Sequence, residues 1–316
     1  MQPDFDDVLA AAARIAPYAY RTPVVRSRSL DDLAGCELFF KCENLQRAGA
    51  FKFRGACNAV LALDAESAAR GVLTQSSGNH GAALALASRL RGIAATVVVP
   101  EGAPAVKVAA MSDFGADIVR CAPTMAARNA AITALLRETT MTLIHPFDDA
   151  LVIAGQGTTA LELLQDVPTL DAVCAPIGGG GLLSGCALTV RSLRPQAEIW
   201  GAEPAGAADA HASLQAGVCI TDYVPETICD GLRATTTPRT LTMVQRYASG
   251  ILLVDDEATI AAMRLLWERL KLVVEPSGAI SFASVLRHRD RFAGRRVGIV
   301  LSGGNVDLDR LPWAQR

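Results

Sequence analysis

Residues 94–100 read Ala-Ala-Thr-Val-Val-Val-Pro, apolar on successive positions and β-branched in the middle. A short run with no polar face fits a strand covered on both sides, as in a parallel sheet between helices. The rest of the chain repeats the theme. Strands are also predicted at 37–43, 72–75, 118–121, 142–145, 172–177, 198–202, 250–254 and 296–301, with residues 21–25 extended. Between them lie helical stretches at 7–15, from Lys52 onward, from the loop at 76–81 to residue 90, and at 105–114, 124–138, 153–166, 182–193, 255–271 and 276–287. Regular alternation of this kind predicts a layered α/β fold. Residues 206–238 are turn-rich and yield no element. No internal repeat, low-complexity segment or Gly/Ser linker marks a border, so domain limits have to come from motifs.

A chain of 316 residues has room for two domains. Half of it is hydrophobic (51%) and only 20% is charged, enough apolar surface for a large core. The net charge of −2 gives no attraction to nucleic acid or to a membrane surface, and no apolar run approaches the ~20 residues of a membrane span. The acidic start, Met1-Gln2-Pro3-Asp4-Phe5-Asp6-Asp7, lacks the basic and apolar regions of a secretory signal. Eight cysteines are scattered without a Cys-x-x-Cys pair, several among alanines and glycines, which points to a reduced, cytoplasmic protein.

Four stretches carry chemistry. Lys52 stands between Phe51 and Phe53, with Gly49 and Gly55 outside them. Apolar surroundings disfavour the ammonium form, and a neutral amine attacks aldehydes; alternatively this is a surface lysine at a helix start. Gly178, Gly179, Gly180 and Gly181 follow a strand and lead into a helix, where free N–H groups suit a phosphate. The lysine of a nucleoside-triphosphate loop is absent, and a flexible turn is the plain alternative. Ser76-Ser77-Gly78-Asn79-His80-Gly81 lies between strand and helix and suits a carboxylate, with His80 read as structural rather than catalytic. Ser302, in Leu301-Ser302-Gly303-Gly304-Asn305, sits at the carboxyl end of the last strand, where ligands collect in such sheets. Its hydroxyl either meets a ring nitrogen or belongs to another turn.

Together these stretches resemble the fold-type II pyridoxal-phosphate enzymes, in the serine/threonine dehydratase and serine racemase family. The resemblance runs from Arg21-Thr22-Pro23 through Phe39, Lys41, Glu43 and Asn44 to Leu308. It implies two layered α/β domains like those of the tryptophan synthase β chain: a large one of residues 1–64 and 144–316, and a small one of residues 65–143 inserted into it. It implies pyridoxal 5′-phosphate carried on Lys52, with Asn79 on the ring hydroxyl and the four glycines and Leu182 around the phosphate. Ser302 would face the pyridine nitrogen, and Phe51 and Gly231 would line the ring. Ser76, Ser77, Gly78, Asn79 and His80 would receive the substrate carboxylate.

In the racemase branch a serine at the position of Ser77 lies across the cofactor from the lysine, which allows racemisation beside elimination; seating a carboxylate explains it equally. Arg128 matches an arginine that reaches dicarboxylates, making 3-hydroxyaspartate a candidate substrate, against the reading of a solvated surface arginine. Glu203, Ala207 and Asp209 match a divalent-cation loop for magnesium, calcium or manganese, against that of ordinary acidic surface. Many racemases have asparagine after His-Pro; Phe147 stands there instead, so one cofactor contact is missing or replaced. The expected activity is elimination from a 2-amino-3-hydroxy acid (L-serine, L-threonine or 3-hydroxyaspartate) to a 2-oxo acid and ammonia, by a homodimer. The alternatives are a serine racemase using Lys52 and Ser77 as two bases, a β-replacement enzyme, and a cofactor-carrying amino-acid-binding protein.

Overall fold

The computed structural model describes residues 2–314. Its strands are β1 (Val24–Val25), β2 (Glu37–Cys42), β3 (Val72–Gln75), β4 (Ala95–Pro100), β5 (Asp117–Cys121), β6 (Thr142–Leu143), β7 (Ala172–Pro176), β8 (Glu198–Pro204), β9 (Gly250–Val254) and β10 (Arg296–Leu301). They form two sheets, in the orders β1-β2-β10-β7-β8-β9 and β5-β4-β3-β6. Every pairing is parallel except β1 with β2. β10 lies between β2 and β7, pairing Leu301 with Cys42 and Val297 with Ala172. The chain therefore starts one sheet, leaves to build the other, and returns to complete the first. All six residues of β4 are buried, as the covered apolar run at 94–100 requires.

Several elements differ from the sequence expectation for local reasons. β6 stops at Leu143, because Pro146 has no N–H and the chain turns back there toward the larger sheet. β8 runs on to Pro204, since β9 offers Leu253 and Val254 as neighbours and a proline at a strand end lacks only a donor it does not need. Helix Ala150–Asp166 starts three residues early: Asp149 accepts from the Val152 N–H and caps it. Within the unassigned stretch lies helix Asp209–Ala216, ended by Gly217 at φ 74°. Helix Pro238–Tyr247 begins on the last residue of that stretch, with Pro238 in its first turn and a capping box from Thr237 to Thr240. The stretch 255–271 is α-helical only to Leu265 and closes in a π turn, Leu266–Leu270.

Helix Lys52–Ala62 is the hub between the sheets. Its apolar side, Phe53, Ala56, Ala59 and Val60, packs into a core shared with Val72, Ala83, Val97 and Met111 of the four-stranded unit. Its other side is anchored by charge. Arg54, fully buried, donates to Glu43 from Nε and Nη2 at 2.7 and 2.8 Å and to Glu162 at 2.8 Å, and Lys41 joins Glu162 at 2.6 Å. Two cations and two carboxylates cancel, so the cluster is tolerable in the core, whereas removing one member strands a buried charge at roughly 3–5 kcal/mol. The Lys52 turn is thus fixed from below by its neighbour two residues on.

All eight cysteines are free thiols; Cys121 and Cys219 are partly exposed and the other six buried. Burial pushes the buried thiols up, to about 12 for Cys42, Cys57, Cys174 and Cys186. Among the described residues no helix is long and apolar enough to cross a membrane.

Candidate active site

The Lys52 turn is stitched to the carboxyl end of β10. Phe51 donates its N–H to the Ser302 carbonyl at 3.0 Å, Ala50 bridges Gly303, and Gly304 donates to the Gly49 carbonyl at 2.9 Å. Lys52 opens its helix and its ammonium donates to the Pro146 carbonyl at 2.8 Å. Among the described residues no carboxylate pairs with it. Burial alone lowers its pKa from 10.5 to about 8, which makes the free amine far more available near neutrality than on an ordinary lysine.

The four glycines sit at the end of β7 against the segment that holds the lysine. The Phe147 ring lies over Gly179, where a Cβ would come within 2.5 Å of it, and Phe147 also fills the space beside Gly181. Gly180 has φ 89°, a conformation that favours glycine, and begins helix Gly181–Leu193 without a side-chain cap. Among the described residues no acceptor is found for the N–H groups of residues 178–183, all of them buried. Buried donors without partners are costly, and an uncapped helix start with such donors fits an anion. Leu182 packs in the adjoining core.

These parts form a closed circuit. Gly178 lies against the Leu232 backbone, where a Cβ would be 2.8 Å away. The adjacent Gly231 donates its N–H to Ser277 Oγ at 3.1 Å, and Ser302 Oγ donates to the Ser277 carbonyl at 3.2 Å. Ser302 holds Phe51, Lys52 reaches Pro146, and Phe147 returns to Gly179. Ser302 is buried and unaccompanied by any carboxylate hydrogen bond.

Asn79 faces this circuit from the four-stranded unit. Its amide donates to Glu275 Oε1 at 2.6 Å, and its Oδ1 accepts from Asn305 at 3.0 Å; Asn305 also donates to the Ala48 carbonyl at 2.7 Å. Sequence reading missed Glu275, Asn305 and Lys107, whose ammonium lies 2.6 Å from Asp230 and 3.4 Å from Glu275. One signal was present for Glu275: a Cβ on Gly303 would stand 2.3 Å from Oε1, so the first glycine of Ser302-Gly303-Gly304-Asn305 makes room for that carboxylate.

Ser76 folds onto its own loop, accepting from the Gly78 N–H at 3.1 Å. Ser77 makes no side-chain hydrogen bond among the described residues, and the N–H groups of Ser77, Asn79 and His80 find no acceptor. His80 is buried with Nε2 3.4 Å from the Ile144 carbonyl, and burial holds its pKa well below 6.5, so its imidazole is neutral. Arg128 stands apart from the circuit, in the first turn of helix Met125–Glu138 with a buried, unpartnered Nε. The next residue, Asn129, reaches Gln75 at 3.5 Å, which sets that turn beside the strand leading into the Ser76 loop.

The acidic loop begins at the end of β8. Glu203 is buried and accepts from the N–H groups of Ala210 and His211 at 2.7 and 2.9 Å; Asp209 accepts from the Thr236 N–H at 3.1 Å. Neither has a salt-bridge partner among the described residues, and burial pushes them up to about 8 and about 6. Asp209 Oδ1, Thr236 Oγ1 and the Tyr223 hydroxyl are buried without partners. Ala207 lies in the turn between the two carboxylates. Among the described residues no group of three or more His, Cys, Asp or Glu side chains gathers here or elsewhere, so a cation would draw on these two carboxylates and neutral oxygens.

The family described as "Pyridoxal-phosphate dependent enzyme" matches residues 15–303. A beta-hydroxyaspartate dehydratase of Paracoccus denitrificans is 46% identical over 311 residues, 98% of this chain and 99% of that one. A serine racemase of Arabidopsis thaliana is 49% identical over 313 residues, covering 98% and 95%. The structure of maize serine racemase superposes with a TM-score of 0.96 at 45% identity, covering 99% of this chain and 97% of that one.

Proposed function

The chain belongs to the pyridoxal-phosphate dependent enzymes, and from that premise we propose that it is an ammonia-lyase for a 2-amino-3-hydroxy acid, with 3-hydroxyaspartate preferred. The closed circuit from Lys52 through Ser302 and Gly231 to the glycine run is the observation that carries this reading. It links a weakly basic amine, an uncapped helix start and a neutral hydroxyl in one chain of contacts, groups suited to an aldehyde carbon, a phosphate and a ring nitrogen. Pyridoxal phosphate, when bound, supplies an electron sink for the bond broken at the substrate's α-carbon.

Lys52 would hold the cofactor's aldehyde end, and its free amine would serve as general base for the α-proton. Its low proton affinity suits both tasks. The N–H groups of residues 178–183 hold the phosphate, and Phe51 and Gly231 line the ring. Ser302 would meet the ring nitrogen with a hydroxyl turned from the Ser277 carbonyl, a neutral group rather than a carboxylate, which would limit charge build-up on the ring and favour departure of the β-hydroxyl. Asn79 orients the ring hydroxyl, and the free N–H groups of Ser77, Asn79 and His80 bind the substrate's α-carboxylate. Arg128 meets the second carboxylate of the dicarboxylic substrate; its unpartnered Nε and the name of the Paracoccus relative favour this. Glu203, Asp209 and the Ala207 carbonyl hold a divalent cation of the oxygen-preferring kind in a structural role. The chain acts as a homodimer in the cytoplasm.

Racemisation of serine is the second reading, favoured by a Ser77 hydroxyl with no bond of its own and by the racemase relatives. The deciding experiment loads the purified chain with pyridoxal phosphate and measures 2-oxo acid from L-serine, D-serine, L-threonine and the 3-hydroxyaspartate isomers. Oxaloacetate is expected to dominate, and no 2-oxo acid from any of them would refute the lyase. Arg128→Ala should lower kcat/KM for 3-hydroxyaspartate by about 10- to 100-fold, the worth of a hydrogen bond to a charged group, and leave serine within about threefold.

A further inference from the structure

Lys107 lies in none of the motifs, yet it is the one residue of the described segment 65–143 that makes a salt bridge to the rest of the chain. It stands in helix Ala105–Asp113 with its stem against the Ser76 loop, where a Cβ on Gly78 would meet Lys107 Cδ at 3.0 Å. Its side chain is 9% exposed, and its ammonium is shared between Asp230 and Glu275 of the other unit. Glu275 is 2% exposed and divides its oxygens, Oε2 toward Lys107 and Oε1 to the Asn79 amide.

We propose that Lys107 is a positioning residue: its ammonium neutralises the buried Glu275, whose other oxygen fixes the amide of Asn79 in the cofactor cleft. The geometry leaves Glu275 no other cation, since the remaining charged group facing it is Asp230, which repels it. Without Lys107 the buried Glu275 would face the more exposed Asp230 with no cation between them. Such a site relieves itself by taking up a proton or by moving a side chain to water, and either change alters the acceptor that Asn79 depends on. Asn305 still holds the other end of Asn79, so the amide loosens rather than leaves.

This rests on the cofactor reading above, and the test separates the two. Cofactor-free wild type, Lys107→Met, Glu275→Gln and the double variant are titrated with pyridoxal phosphate and followed by the cofactor's visible absorption, with no turnover required. Lys107→Met should bind about tenfold more weakly, the lower end for one charge-assisted hydrogen bond. The double variant should return to within about threefold of wild type, because a glutamine amide still accepts from Asn79 and no longer needs a cation. A purely structural role for Lys107 predicts the opposite, a double variant no better than the single one. Lys107→Met with wild-type affinity, or a double variant that stays weak or does not fold, overturns the proposal. If Lys107→Met alone fails to fold, recovery of both folding and binding in the double variant supports it. Absence of binding in the wild type refutes the cofactor reading instead.

Discussion

Replacing Lys52 with methionine should stabilise the cofactor-free protein. The lysine's pKa falls from 10.5 to about 8 on folding because burial disfavours the ammonium. At about 1.36 kcal/mol per pH unit, that is about 3 kcal/mol of cost. The side chain is only half-buried and cleft water screens it, so a net effect of roughly 2 kcal/mol is the reasonable expectation. Pro146 is itself half-buried, which leaves its carbonyl a route to solvent when its donor goes. The sign follows from proton binding: the unfolded chain holds this proton more tightly, so the cost is fully present below about pH 8 and disappears as pH rises through 10.5. Lys52→Met should therefore gain about 2 kcal/mol near neutral pH, or about 3 °C in Tm for a chain of this length, and the gain should fade above pH 8. Urea unfolding of both cofactor-free proteins across that range measures it. A variant no more stable than wild type at neutral pH, or an advantage that ignores pH, would refute the claim that the site strains its lysine. The same variant should lose covalent cofactor and nearly all turnover.

Ser77→Ala should abolish interconversion of L- and D-serine while elimination from L substrates falls less than tenfold, the worth of one hydrogen bond of ~1 kcal/mol; chiral chromatography beside a 2-oxo acid assay distinguishes this from a carboxylate-seating role, in which both fall together. Chelation should lower Tm, and magnesium, calcium or manganese should restore it, because a ligand bound only to the folded state stabilises it; Asp209→Asn should remove the response. Gly179→Ala should cut cofactor affinity at least tenfold, since its methyl must displace the Phe147 ring 2.5 Å away, and Phe147→Ala in the same chain should recover part of it in an absorbance titration.

What could be read in the sequence was what is local. β4 announces itself by an unbroken apolar run, and the glycines ahead of helix Gly181–Leu193 by chemistry that a turn does not need. Lys52 was legible through its phenylalanines, though Phe53 belongs to the core and only Phe51 flanks the amine. Partners far apart in the chain were not. Glu275 and Asn79 are separated by 196 positions and Lys107 and Asp230 by 123, and each is an unremarkable polar residue until the two sheets meet. The same holds for Phe147, which reads in sequence as a cofactor contact missing or replaced and whose packing against Gly179 and Gly181 only the fold reveals. Helix Pro238–Tyr247 was hidden by the turn-rich stretch before it, although its proline start was a usable sign.

The distribution of the cysteines has a practical result. Six thiols are sealed in the core, and at neutral pH they will react slowly with electrophiles. Cys121 and Cys219 remain within reach of solvent, the first on β5 of the four-stranded sheet and the second beyond helix Asp209–Ala216, which follows the larger sheet's β8. The chain thus carries one partly exposed thiol on the four-stranded sheet and another in the segment that follows the larger sheet's β8. A spin-label or fluorophore pair at these two thiols would read the span between the units during turnover, with no cysteine added or removed.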